Sequence, residues 1–127
     1  MEKNVVFSLS VLVLIAFQSI GQPIASVDKK TKEFFLPPGL KTEYRVFGYQ
    51  YANAETRKLI CFSSHEGDVR ANYNQCPLGS YFDTQKMSGE DKIIYLGPAG
   101  SFAKMDYITG RGKKTIFYLP SSSFVLK

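Results

Sequence analysis

The chain has 127 residues, of which 44% are hydrophobic and 21% are charged, and its net charge is +5. Beyond an apolar N-terminal segment about 105 residues remain, which excludes two independently stable domains and predicts one domain with a single core. The positive charge favours anionic partners, among them nucleic acid, acidic proteins and charged cell-wall polymers. No cluster of His, Cys, Asp and Glu has the spacing of metal ligands, and we expect neither a metal nor another cofactor.

The first residues have the pattern of a secretory signal peptide. A short polar start precedes an uncharged apolar run over residues 5–20, which is short for a bilayer span. The small residues Ser19 and Gly21 lie three and one positions before a cleavage point that follows Gly21. We therefore expect a signal peptide over residues 1–21 and a secreted mature protein; a single membrane anchor is the alternative.

The two cysteines, Cys61 and Cys76, both lie in the part that would be exported. Because an oxidising compartment favours pairing, we predict a Cys61–Cys76 disulfide. Closing a loop of about 15 residues contributes roughly 3 kcal/mol in the chain-entropy model. A catalytic role for free thiols is disfavoured, because two cysteines and the single histidine, His65, form no recognisable nucleophile arrangement.

The mature chain begins with a segment that is poor in apolar residues. Residues 22–41 are interpreted as a mobile basic leader, since 28–33 is charged or polar and 37–39 is Pro-Pro-Gly. The domain is predicted to occupy residues 42–127.

Strands and one helix are predicted within this domain. Aromatic and β-branched residues alternate roughly over 42–51, which is typical of one or two strands. Asn53 as an N-cap predicts a helix over 54–63, with Leu59, Ile60 and Phe62 on its buried side. Turn formers dominate 65–78, which is interpreted as a loop.

The C-terminal half is predicted to be mostly strands. Short segments rich in Tyr, Phe, Ile and Thr lie at 80–86, 92–96, 101–108 and 115–119. Because their connections are short, neighbouring strands are expected to pair antiparallel. The sequence thus predicts an α+β domain in which one helix packs on a small antiparallel sheet.

Three segments in this half carry a resemblance to a known family: Gly89–Leu96, Ser101–Ile108 and the loop Thr109–Gly112. These segments resemble the small secreted fungal guanyl-specific ribonucleases, which have an acidic-basic pair opening one strand, a turn, a second strand and a Thr-Gly loop. The resemblance is closer to the ribonuclease-like effectors that powdery mildew fungi secrete from haustoria. It implies a microbial ribonuclease-like fold. Many of these effectors open with Tyr-x-Cys, whereas this chain has Tyr44-Arg45-Val46, so its disulfide would be a different one.

The resemblance also assigns the catalytic roles of the ribonucleases to positions in this chain. Asp83 falls where the family has its glutamate base, and Lys92 falls where an arginine steadies the phosphate charge. The general acid immediately precedes the Thr-Gly pair, and here that residue is Ile108, which cannot transfer a proton. The resemblance therefore implies a pseudoenzyme. A relocated catalytic role for His65 is the alternative to an ordinary loop histidine.

Binding is expected at the basic loops and at the surface that corresponds to the former active site. The first residues to test are Asp83, Lys92, Lys104, Arg111 and Lys113. The cations can follow a phosphate backbone, and a solvated basic hairpin is the alternative. Four tyrosines are either stacking platforms for bases or core residues: Tyr73, Tyr81, Tyr95 and Tyr107.

The resulting hypothesis is a secreted fungal virulence effector that is catalytically inactive and acts by binding. The expected partners of this monomer are a host protein, host RNA or a ribonucleoprotein, met after translocation into the host cell cytoplasm, with a host immune receptor as a further partner. One alternative is an active secreted ribonuclease that uses Asp83 as its base. Another is an extracellular structural or inhibitory module.

Overall fold

The computed structural model describes residues 24–127, so the predicted signal peptide lies outside the described residues. The first half contains β1 (Ala25–Val27), β2 (Phe34–Phe35), β3 (Arg45–Tyr49), β4 (Lys58–Ser63) and α1 (Glu66–Asn72). The second half contains β5 (Ser80–Tyr81), β6 (Lys92–Ala99), β7 (Phe102–Ile108), β8 (Lys114–Pro120) and β9 (Phe124–Leu126). Short 3-10 helices at Thr84–Lys86 and Ser121–Ser123 precede β6 and β9. The predicted α+β class with one helix is confirmed for the described residues.

The larger sheet has six strands in the order β5-β4-β3-β8-β7-β6. The strands β6, β7 and β8 form an antiparallel meander, as the short connections predicted. The strand β8 pairs with β3, which pairs with β4, and both contacts are antiparallel. The pairing of β4 with β5 is parallel, so the expected purely antiparallel sheet is wrong at this edge.

A second sheet contains three strands in the order β2-β1-β9 and includes a parallel pairing of β1 with β9. Two of its strands, β1 and β2, are built from residues that the sequence had assigned to a mobile leader. That interpretation is wrong over 25–36, because four apolar side chains of this segment are almost completely buried: Ala25, Val27, Phe34 and Leu36. The burial depends on a partner strand about a hundred positions away, which local composition does not reveal.

The predicted helix over 54–63 is also wrong, because residues 58–63 form the strand β4. Every residue from Leu59 to Ser63 is buried, and a strand covered on both faces has an uninterrupted apolar run that resembles a buried helix segment. Asn53 closes a tight turn instead, by accepting a hydrogen bond from the Glu55 N–H at 2.8 Å. The helix lies over Glu66–Asn72, in the predicted loop, with acidic residues in its first turn.

The two sheets pack face to face and enclose the core. Phe34 of the small sheet lies 5.5 Å from Phe62 of β4, and Phe124 lies 5.9 Å from Tyr95 of β6, measured between ring centroids. The helix α1 covers the opposite face of the large sheet, at its β4–β5 end. There Asp68 accepts hydrogen bonds from Ser63 and from the guanidinium of Arg45.

The predicted disulfide is absent, and Cys61 and Cys76 are both free, buried thiols. Burial raises the pKa of each thiol, so both stay protonated and pack as small apolar groups. The disulfide was predicted because an oxidising compartment favours the pairing of cysteines. In the structure both side chains are buried without a disulfide bond between them.

Candidate binding face

One side of the large sheet is covered by α1 at its β4–β5 end, and no other element that the structure describes covers its remaining strands. Side chains alternate along a strand, so Ala103, Met105 and Tyr107 of β7 point into the core and Lys104 and Asp106 point outward. We call the outward side chains of β3, β6, β7 and β8, with Lys58 at their border, the open face. It lies next to α1 and opposite the small sheet.

Aromatic side chains form a continuous cluster on the open face. The rings of Phe47 and Tyr49 lie 6.4 Å apart, and Phe102 meets Tyr49 edge to face at 6.1 Å. Tyr118 of β8 is the cross-strand partner of Tyr49. Burial against these neighbours raises the pKa of Tyr49. The four side chains are partly buried, so their rings are held in place while one side remains accessible.

Four exposed lysines accompany the aromatic cluster: Lys58, Lys92, Lys104 and Lys114. Among residues 24–127 the ion pairs join Arg45 to Asp68 and Arg70 to Glu66, and His65 lies near Glu43, so none of these contacts neutralises a lysine of the open face. The ammonium of Lys58 lies 4.0 Å above the ring of Phe47, a cation–π contact. The other three lysines are available to an anionic ligand.

Lys92 and Ile108, which the resemblance places at the arginine and general-acid positions, are direct cross-strand partners. Lys114 pairs with Ile108 from the other side, so two cations flank an aliphatic side chain across three strands. This row can stabilise a phosphate by charge, and Ile108 itself has no proton to give to a leaving oxygen.

Asp83, the third residue of the proposed site, lies elsewhere. Its side chain is 2% exposed, and its Oδ1 accepts hydrogen bonds from the backbone N–H groups of Gln85 and Lys86, at 2.8 and 3.1 Å. It is therefore the N-cap of the 3-10 helix after β5. The structure brings Lys92 and Lys104 together on the open face and leaves Asp83 outside it.

Arg111 and Lys113 lie on the turn between β7 and β8, at the end of the sheet that carries Lys92 and Lys114. Asp91 holds this turn in place, because its carboxylate accepts hydrogen bonds from the Gly110 N–H at 3.0 Å and from the Tyr107 hydroxyl at 2.8 Å. Burial, together with this hydrogen bond, raises the pKa of Tyr107. The turn extends the basic surface of the open face.

The remaining predicted candidates do not belong to the open face. Tyr107 is a core residue, Tyr81 and Tyr95 are partly buried and pack against the core, and Tyr73 is exposed at the end of α1. His65 occupies the N-cap position of α1, with its Nε2 3.4 Å from a carboxylate oxygen of Glu43.

A cavity of about 510 Å³ borders the open face at Lys92 and lies between residues 28–35 and 84–93. Its charged lining residues are Asp28, Glu33, Asp91 and Lys92. Three carboxylates and one cation make this cavity unfavourable for a phosphate, in contrast to the open face.

Sequence reasoning identified two lysines of the open face and missed Tyr49, Phe102, Tyr118 and Asp106. The signal was present, since polar and aromatic residues alternate with apolar ones along β3, β7 and β8. The alternation alone does not predict which side of each strand is covered by the second sheet.

No family model, no curated protein and no solved structure matches the chain. Within the part that the structure describes, no group of three or more His, Cys, Asp or Glu residues could hold a metal ion. No helix among residues 24–127 is long and apolar enough to span a membrane.

Proposed function

We propose that the chain is a secreted, non-enzymatic binding protein of the effector type, and that its open face binds single-stranded RNA. The observation that carries the proposal is the aromatic cluster of Tyr49, Phe102 and Tyr118 beside lysines that form no ion pair in the described structure.

The chemistry of single-stranded nucleic acid matches this combination. Bases stack on accessible aromatic rings, each worth about 1–3 kcal/mol, and the phosphates pair with nearby cations. A single strand offers a base and a phosphate at every nucleotide, so it can contact the rings and the lysines together. The net charge of +5 supports association with a polyanion.

The absence of catalysis is supported by two positions. Ile108 stands between Lys92 and Lys114 without a titratable group, and the carboxylate of Asp83 is occupied as a helix cap. Bound RNA is therefore held without being cut, and purified protein incubated with RNA is expected to leave it intact. Cleavage that copurifies with the protein and disappears in Asp83→Ala would instead support the active ribonuclease.

The binding test compares matched variants by the dissociation constant for a short unstructured RNA oligonucleotide. Tyr118→Ala is expected to weaken binding by about tenfold, because it removes one stacking platform. Tyr73→Ala is its control, since this tyrosine is equally aromatic, 64% exposed and outside the open face. Equal affinities for the two variants would contradict the proposed site.

The salt dependence tests the role of the lysines independently. Removing one phosphate contact lowers the slope of log affinity against log salt concentration by about 0.7 for a single strand. Lys104→Ala is expected to show this reduction, while Lys86→Ala, in the 3-10 helix after β5, keeps the wild-type slope. A slope that is the same in all three proteins would exclude phosphate contacts at Lys104.

The export and the host location in this proposal are supported by the signal-like residues 1–21 and by the family resemblance. They are tested by locating the tagged protein in infected host tissue. Detection inside host cells supports an effector, whereas retention outside them supports the extracellular module.

A further inference from the structure

Asp106 is an unusual residue at the centre of the open face. Its cross-strand partners are Ile94 and Ile116, and Lys104 and Ile108 are its neighbours on the same side of β7. The residue is only 6% exposed, and its Oδ1 is buried with no hydrogen-bond partner among the described residues.

A carboxylate in this position costs free energy, because burial removes water and no protein donor replaces it. Other buried or partly buried carboxylates of the protein are satisfied: Asp83 caps a helix, Asp68 binds Arg45, and Asp91 binds Tyr107. No salt bridge within residues 24–127 joins Asp106 to a lysine. The Oδ1 of Asp106 thus gains no hydrogen bond within the described residues that would offset the cost of its burial, which is typical of a functional residue.

We infer that Asp106 accepts a hydrogen bond from the exocyclic amino group of a base bound on the open face, and thereby makes the face selective for bases that carry an amino group. This inference rests on the proposed RNA binding. A base edge presents N–H donors without a positive charge, so it can approach Asp106 between exposed lysines that would repel a cationic side chain. The phosphates on either side of the base then pair with those lysines.

Cytosine and uracil differ in the group that this carboxylate would meet. Cytosine carries an exocyclic amino group, a donor, where uracil carries a carbonyl oxygen, an acceptor. A carboxylate accepts from the first and repels the second. We therefore expect the protein to prefer oligocytidylate over oligouridylate of equal length by on the order of tenfold.

The experiment measures the dissociation constants of both oligonucleotides at neutral pH for the wild-type protein and for Asp106→Asn. The asparagine amide has both a donor and an acceptor, so the variant is expected to bind the two oligonucleotides within about twofold of each other. The free energy of unfolding of Asp106→Asn is expected to be no lower than that of the wild type, because no protein hydrogen bond is lost.

The outcomes separate this inference from the proposed function. If both oligonucleotides bind equally well to the wild type, or if the preference persists in Asp106→Asn, the inference is overturned and RNA binding stands. A strong loss of stability in the variant would also overturn it, because Asp106 would then be structural. If neither oligonucleotide binds, both proposals fail.

Discussion

Gly48 lies in β3 at a point where the sheet core leaves no room for a side chain. A Cβ atom there would overlap the ring of Phe117 and lie 2.6 Å from the Cγ2 of Ile60. Both neighbours are fully buried, so neither can move aside without disturbing the contact between the two sheets. This close approach fixes the position of β3 against β4 and β8.

The first prediction concerns this glycine. Gly48→Ala is expected to lower the free energy of unfolding by about 1–3 kcal/mol, because the added methyl overpacks the core. Gly67→Ala is the matched control with the opposite sign. Gly67 lies in α1 with open space around it, so alanine should stabilise the protein by roughly 0.5–1 kcal/mol. Urea unfolding measures the free energy of unfolding of both variants. An unchanged free energy of unfolding in Gly48→Ala would contradict the packing argument.

At the level of elements, the helix α1 is attached to the large sheet through Asp68. Its carboxylate accepts two hydrogen bonds from the guanidinium of Arg45, at 2.7 and 2.6 Å, and one from the Ser63 hydroxyl at 2.7 Å. These bonds, above all those from Arg45, hold the pKa of Asp68 below its usual value of 3.8. The attachment therefore depends on an ionised carboxylate.

The second prediction follows from the direction of this shift. A carboxylate with a lowered folded-state pKa stabilises the protein above its unfolded pKa, and this contribution is lost as the pH falls through the folded pKa. The free energy of unfolding should therefore decrease below about pH 4. Asp68→Asn is expected to be less stable at neutral pH and to show a smaller decrease in acid. Urea unfolding midpoints at several pH values measure the stability of the wild type and of the variant. If both proteins lost stability in acid to the same extent, the role of Asp68 would be contradicted.

The elements that sequence reasoning predicted are those with local pairing. The strands β6, β7 and β8 follow one another with short connections, so their apolar pattern was sufficient. The strand β4 was taken for a helix because Leu59–Phe62 is apolar without alternation, a consequence of cover on both faces. Two lysines of the open face were predicted because their charge is visible in the sequence. Tyr49 and Tyr118 were not predicted as neighbours, because the pairing of β3 with β8 joins segments that are distant in the chain.

Across the whole molecule, a buried hydrogen bond outside the strands helps to connect the two sheets. Tyr44, just before β3, donates its hydroxyl to the backbone carbonyl of Ser123, just before β9, at 2.8 Å. Burial raises the pKa of Tyr44 well above 10.0. The neutral phenol is thus part of the contact between the sheets.

The third prediction concerns this contact. Tyr44→Phe is expected to lower the free energy of unfolding by about 1–2 kcal/mol, because the Ser123 carbonyl loses its donor. A tyrosine whose folded-state pKa is raised stabilises the protein below its unfolded pKa, and this contribution is lost as the pH rises beyond about 10. The variant should therefore lose less stability in alkali than the wild type. Tyr107, whose pKa is also raised, keeps part of the alkaline sensitivity. Denaturant unfolding at neutral and alkaline pH tests both statements.

The parallel pairing of β1 with β9 determines when the molecule can finish folding. During synthesis the ribosome makes β1 about a hundred residues before β9, so for most of that time the small sheet consists of a single hairpin. Contacts between such distant segments close slowly. The small sheet is therefore expected to be completed after the meander of β6, β7 and β8, whose pairings are local.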